Sequence, residues 1–150
     1  MNDAAPTYRH TQIGWSLLAV LLAGAALVGF AASRTGWSPA AWSVFAFLGI
    51  VAALFCTLTV EVVGGDVLLR FGPGLIRRRI ARAEIARVEV VRNPWHFGWG
   101  IRFTPYGWLF SVSGFDAVEV GLISGKAVRI GTDEPQALAA AIRAVGGFKL

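Results

Sequence analysis

Two uncharged apolar runs, separated by one short polar turn, constrain this chain more than any other feature. Ile13 to Ala32 reads IGWSLLAVLLAGAALVGFAA, and Ala41 to Val60 reads AWSVFAFLGIVAALFCTLTV. A helix of about twenty residues, rising ~1.5 Å per residue, matches a hydrocarbon core ~30 Å thick. The turn from Ser33 to Pro39 contains Arg34, Gly36 and Pro39 and is long enough only to send the chain back. The reading is a transmembrane α-helical hairpin over residues 13–60, preceded by a tail over 1–12 and followed by a soluble domain over 61–150. Composition agrees with this division. Of the 150 residues 55% are hydrophobic and only 15% charged, and between Gln12 and Val60 the only ionisable side chains are Arg34 and Cys56.

Trp15, Trp37 and Trp42 fall near the ends of the runs, where amphipathic rings favour the headgroup level. Ala19 with Ala23, Ala25 with Gly29, and Gly49 with Ala53 are small residues spaced four apart, which lets helices approach closely in lipid. Alanine-rich helices also contain such pairs by chance. A cleaved leader is the rival for the first run, but its apolar stretch exceeds the usual ~7–15 residues and its basic flank is only Arg9 with His10, so the segment is read as retained. Arg9 and Arg34 balance one another, whereas Arg70 and Arg77 to Arg79 follow the second run closely. The arginine excess places both termini and the soluble domain of a multi-pass membrane protein in the cytoplasm. The net charge of +5 is read as this topology signal rather than as a nucleic-acid footprint.

Beyond Val60 the apolar period changes to two. Val60 and Val62 lead to a Gly64-Gly65 turn, and Val67, Leu69 and Phe71 continue the alternation. Strand-like pieces follow over Leu75 to Ala81, Ala86 to Arg92, Ile101 to Thr104 continuing as one piece through a turn at Pro105-Tyr106-Gly107 into Trp108 to Val112, Ala117 to Ile123 and Lys126 to Gly131, with Ser124-Gly125 as a two-residue hairpin. The chain then carries a helix signal: Asp133 as cap, Pro135 in the first turn, Gln136, a face of Leu138, Ile142 and Val145, and a stop at Gly146-Gly147. About seven strands closed by one helix predict a mainly-β sandwich or barrel.

That order of elements, with the strings Ala83-Glu84-Ile85, Gly98-Trp99-Gly100-Ile101-Arg102, Ser113-Gly114-Phe115-Asp116-Ala117-Val118-Glu119 and Gly131-Thr132-Asp133-Glu134-Pro135, resembles the bacterial membrane-anchored proteins with a pleckstrin-homology-like (PH-like) domain. The resemblance runs from about Leu58 to Gly147 and implies a PH-like fold that serves as a binding or scaffolding module. Phosphoinositide-binding PH domains use basic side chains near the first two strands, where this chain has only Arg70.

Two features are candidate sites for a lipid or a partner. Arg77, Arg79 and Arg82, with Arg78, form a basic cluster that either holds anionic headgroups or is a solvated strand face carrying the topology signal. Strand alternation puts Arg77 and Arg79 on one face and Arg78 on the other, with Ile76 and Ile80. Trp95, Phe97 and Trp99 lie in the break after Asn93-Pro94 and either receive a partner or fold back to cap the barrel. No cofactor and no metal are expected: His10 and His96 are the only histidines, Cys56 is the only cysteine, and Asp116 and Glu119 fall on opposite faces of a strand. The expectation is a non-enzymatic PH-like module at the inner membrane that binds a protein or assembles with itself, the alternative being a sensor of anionic lipid. A reporter that is active only in the periplasm, fused after Leu150, should be silent; activity there would reverse the assigned topology.

Overall fold

The two apolar runs leave and re-enter a single β-sheet. The computed structural model describes residues 6–146. Strand β1 (Tyr8–Ile13) precedes the helices α1 (Trp15–Thr35) and α2 (Pro39–Phe55), and strand β2 (Thr57–Val63) follows them. β1 and β2 pair antiparallel from Tyr8 opposite Val62 to Ile13 opposite Thr57, and Gly14 N–H donates to the Cys56 carbonyl at 2.7 Å as a last rung. The helical hairpin is therefore the connection between two adjacent strands.

This arrangement corrects the expected boundaries at both ends. Residues 8–13 are a strand and not part of a free tail, because the edge of β2 offers the unpaired backbone groups that a six-residue segment can satisfy. The second apolar run ends as a helix at Phe55, five residues before Val60. Thr57, Thr59 and Val60 are β-branched, and each has a partner on β3 or β1, so the sheet takes them from the helix. Among the described residues only α1, with 21 residues, is long and apolar enough to cross a membrane; α2 is apolar but has 17. Ser38 caps α2, its hydroxyl accepting from Ala41 N–H at 3.3 Å, and Pro39 occupies the first turn. Within α1 only Ala32 is buried, and none of α2 is. Trp37 stacks with Trp42 and Phe45 across the hairpin tip. Gly29 faces Phe45, whereas Ala19, Ala23, Gly49 and Ala53 are exposed.

Sheet A continues through β3 (Asp66–Phe71) and β4 (Ile76–Ile80), in the order β1-β2-β3-β4. A 3-10 turn over Arg82–Glu84 leads into sheet B, made of β5 (Ile85–Arg92), β6 (Gly100–Thr104), β7 (Gly107–Ser111), β8 (Asp116–Leu122) and β9 (Ala127–Gly131). Its order is β5-β8-β9-β7-β6, with β7 and β9 parallel. The described residues thus hold nine strands rather than about seven, the additions being β1 and the separation of β6 from β7. The inner faces meet in one core, with Leu58, Val60, Val62, Leu69 and Phe71 on one side and Val88, Phe110, Val118, Val120 and Ile130 on the other. Helix α3 (Pro135–Gly146) closes it with Leu138, Ala139 and Ile142, and packs on β5 and β8. Fully burying a side chain of this size contributes about 1.5–3 kcal/mol.

Two local expectations change. The turn into α3 is held by Thr132, whose hydroxyl accepts from Glu134 N–H at 3.1 Å, and Asp133 is engaged by His10 at 2.7 Å. The β8–β9 connection has four residues, Ile123 to Lys126, since Ile123 N–H donates away to the Glu84 carbonyl, Gly125 takes a φ of 81°, and Leu122 N–H closes on the Lys126 carbonyl at 2.8 Å. Gly147, the second glycine of the expected helix stop, lies outside the described residues.

Because Ile13 and Thr57 are directly opposite, an Asn-Gly turn in place of residues 14–56 should close the ladder as an ordinary hairpin. That shortened protein should melt at a higher temperature than a fragment starting at Thr57, which exposes the edge of β2. Equal melting temperatures by circular dichroism would show that β1 contributes nothing to the fold.

Candidate functional site

Three surfaces surround the end of the sandwich from which the helices emerge. The direction of the strands fixes which residues belong there. Ile13 and Thr57 mark the end of sheet A, so Phe71, Ile76 and the turn between them lie close to the helices. Gly72 confirms the contact, since a Cβ there would stand 2.3 Å from the Ala53 carbonyl of α2. In sheet B the same end is marked by Val112 and Ser113: a Cβ on Gly14 would meet the Val112 carbonyl at 2.8 Å, and Gln12 Nε2 donates to the Ser113 carbonyl at 3.2 Å. The registers then bring Ser111, Gly100, Asp116 and Arg92 to that end.

The arginine cluster lies along β4, an edge strand, and the structure divides it. Arg79 Nε donates to Asp66 Oδ2 at 2.9 Å, and Asp66 Oδ1 accepts from the Arg82 backbone N–H at 2.8 Å. Those contacts, the Arg82 N–H first and Arg79 with it, hold the Asp66 carboxyl below its ordinary range. Arg79 and Arg82 belong to the far end of the sheet, beside the Gly64-Gly65 turn. Arg77 is nearer the helices, paired across from Arg70, and its Nε donates to the Gly74 carbonyl. Arg78 sits opposite Leu69, on the face shared with Ile76 and Ile80, as alternation predicted. Among the described residues neither Arg77 nor Arg78 has a carboxylate partner, whereas Arg70 and Arg9 both bind the buried Glu61, at 2.7 and 3.3 Å. The exposed Leu75, with 77% of its surface open, stands next to Arg77 in the turn facing the helices.

The aromatic segment forms a 3-10 turn, Trp95–Phe97, between β5 and β6. Both of its roots leave the sheet at the helix end: Asn93 N–H donates to the Phe115 carbonyl at 2.7 Å, and Gly100 is opposite Ser111. Trp95 is 80% exposed, while Trp99 is half-buried with its Nε1 enclosed and unpartnered. Phe97 is half-buried against Tyr106, at 6.2 Å between ring centroids.

Sequence reasoning missed what lies behind Tyr106. Glu119 on β8 and Arg129 on β9 are directly opposite, on the face of sheet B away from the core, with side chains only 7% and 9% exposed. Arg129 Nε donates to Glu119 Oε2 at 2.7 Å and its NH1 to Asn93 Oδ1 at 3.1 Å, and its guanidinium lies 4.1 Å from the Tyr106 ring centroid. Arg87 completes Glu119 at 2.8 Å. The signal was a charge in the interior of each of two apolar strands; the two-residue turn assumed at Ser124-Gly125 would have set Glu119 against Ile130. Further out, Phe103 is 74% exposed, and Tyr106 and Trp108 add to an aromatic surface along the β6–β7 hairpin.

A third region joins β1 to the start of α3. His10 lies against Asp133 and Glu134, and Tyr8 donates to Glu134 at 3.4 Å. Burial first, then the Glu134 charge, pushes the Tyr8 hydroxyl up to about 12. No group of three or more His, Cys, Asp or Glu is placed to hold a metal ion among the described residues. No protein-family model matches the chain, and no curated protein matches it.

Replacing Arg129 by alanine leaves the Glu119 carboxylate buried with only the outer Arg87, and should cost about 3–5 kcal/mol of stability, while Glu119→Leu with Arg129→Met should restore most of it. Thermal unfolding of the full chain in detergent, followed by near-ultraviolet circular dichroism, reads both. A loss below about 1 kcal/mol for the single variant would class the pair with solvated surface bridges.

Proposed function

We propose that this chain is a membrane-anchored, non-enzymatic PH-like module, held by its helical hairpin at the cytoplasmic face of a bacterial inner membrane, which binds another protein or a second copy of itself. The observation that carries the reading is the rooting of both helices in adjacent strands of sheet A, which fixes the β-domain to whatever α1 and α2 enter. Apolar side chains such as Leu22, Leu27, Phe30 and Phe47 stand exposed along both helices, a surface that a bilayer covers. Two packed sheets closed by a C-terminal helix are the arrangement expected of a PH-like domain. The aromatic surface of Trp95, Phe103, Tyr106 and Trp108 supports protein binding, since such side chains dominate contact energetics.

The second reading, a sensor of anionic lipid, is favoured by Arg77 and Arg78 beside the exposed Leu75 at the helix end. Against a single headgroup grip stands the engagement of Arg79 by Asp66.

Chemical crosslinking of the full chain in its membranes should yield larger adducts. Trp95→Ala with Phe103→Ala should weaken that association about 30-fold, the equivalent of one anchor worth ~2 kcal/mol, without lowering the melting temperature. Arg77→Ala with Arg78→Ala should leave it intact. Loss of adducts only in the arginine variant, with release from anionic vesicles as salt rises, would give the lipid reading precedence.

A further inference from the structure

Where β1 passes into α1, the sandwich has a cleft of about 430 Å³ that the aromatic and basic surfaces do not include. Gln12, Ser113, Asp116, Thr132 and Asp133 contribute to its wall, and Trp15, the first residue of α1, stands at its edge. Gln12 is the unusual member. It is 7% exposed, its Nε2 is used on the Ser113 carbonyl, and its Oε1 is enclosed with no donor within the fold. Buried acceptors are nearly always paired, so an orphan on a residue that lines a cleft needs an explanation. The other polar groups point the same way: two carboxylates and two hydroxyls are rich in acceptors, and the Asp116 and Asp133 side chains are more than half open to solvent. Asp116 has only a 3.9 Å contact with Arg92, and Asp133 has His10 on one oxygen.

We propose that this cleft receives the primary ammonium group of a zwitterionic lipid headgroup, of which phosphatidylethanolamine is the simplest. The inference rests on the membrane reading above, because the cleft opens beside Trp15, at the level where an entering helix meets headgroups. A primary ammonium carries three N–H donors, which suits Gln12 Oε1 together with the two carboxylates. A choline headgroup has no such donors and is recognised by a cage of aromatic rings, whereas a single tryptophan edges this cleft. Anionic headgroups without an amine are disfavoured by Asp116 and Asp133. The cleft is thus the acidic counterpart of the basic turn at Arg77, both of them at the helix end of the domain.

The test uses the full chain in vesicles containing equal phosphatidylethanolamine, phosphatidylcholine and phosphatidylglycerol. After gentle detergent extraction and chromatography, mass spectrometry measures the lipid that stays bound. Phosphatidylethanolamine should be enriched about tenfold over phosphatidylcholine, the discrimination of one charge-assisted hydrogen bond. Asp116→Asn with Asp133→Asn should bring the ratio near one while leaving the melting temperature unchanged. Gln12→Met should also reduce it, and if that variant fails to fold the aspartate pair still decides. Equal retention by the wild type, or enrichment that survives in the aspartate variant, overturns the proposal. So does preferential retention of phosphatidylglycerol. An alkaline wash of the same vesicles reads the anchor separately: a chain that stays in the bilayer yet holds the lipids equally refutes the cleft alone, and a chain that washes off refutes the membrane reading itself.

Discussion

The antiparallel ladder between β1 and β2 is the constraint on which the rest of the structure depends. It closes a connection of residues 14–56, and closing so long a flexible loop would cost conformational entropy. The connection is not flexible, however: α1 and α2 run antiparallel and return Cys56 to hydrogen-bonding distance of Gly14. Sheet and hairpin therefore support each other. The helices bring the strands together, and the strands, with Gly72 packed against the Ala53 carbonyl, fix how the helices leave the domain. One consequence is topological. The segment before the hairpin and the domain after it occupy one sheet, so they share one side of whatever the helices enter.

Electrostatics then divide the surface according to distance from that root. Sheet A places Arg70 and Arg9 on Glu61 and Arg79 on Asp66, so of the arginines on β4 Arg79 alone is neutralised locally. What remains without a carboxylate partner among the described residues of β4 is Arg77 with Arg78, next to Leu75. Sheet B does the opposite with one pair and buries it. Glu119 and Arg129 are covered by Tyr106 and held by Asn93 and Arg87, so a polar group in the middle of β8 is satisfied without joining the core. That buried pair also explains the path of the aromatic segment: Asn93, its first residue, is fixed by Arg129, and Phe97 rests on the ring that covers the pair. Trp95 is left pointing outward as a result.

Much of this was legible from the order of residues. Continuous apolarity fixed the helical character of 15–32 and 41–55, period-two alternation fixed β3, β4 and the core side of β2, and the Pro135 signal with its Leu138 and Ile142 face fixed α3. These are local properties: a helix or strand whose apolar side chains recur at the right period buries them wherever it is placed. The same alternation correctly separated Arg78 from Arg77 and Arg79.

The tertiary structure decided what depends on partners distant in sequence. Tyr8 to Ile13 has no strong pattern of its own and becomes a strand only because β2 presents a free edge, 48 residues away at the Thr11 and Thr59 contact. Thr57 to Val60 is as free of charge as the helix before it, and the competition was settled by ladder hydrogen bonds that no local propensity contains. The register of β8 on β9, and with it the pairing of Glu119 and Arg129, turned on a single residue in the loop, because a slip of one moves every side chain to the other face. The cleft beside Gln12 gathers residues from β1, the β7–β8 connection and the approach to α3, so sequence alone named its members without bringing them together.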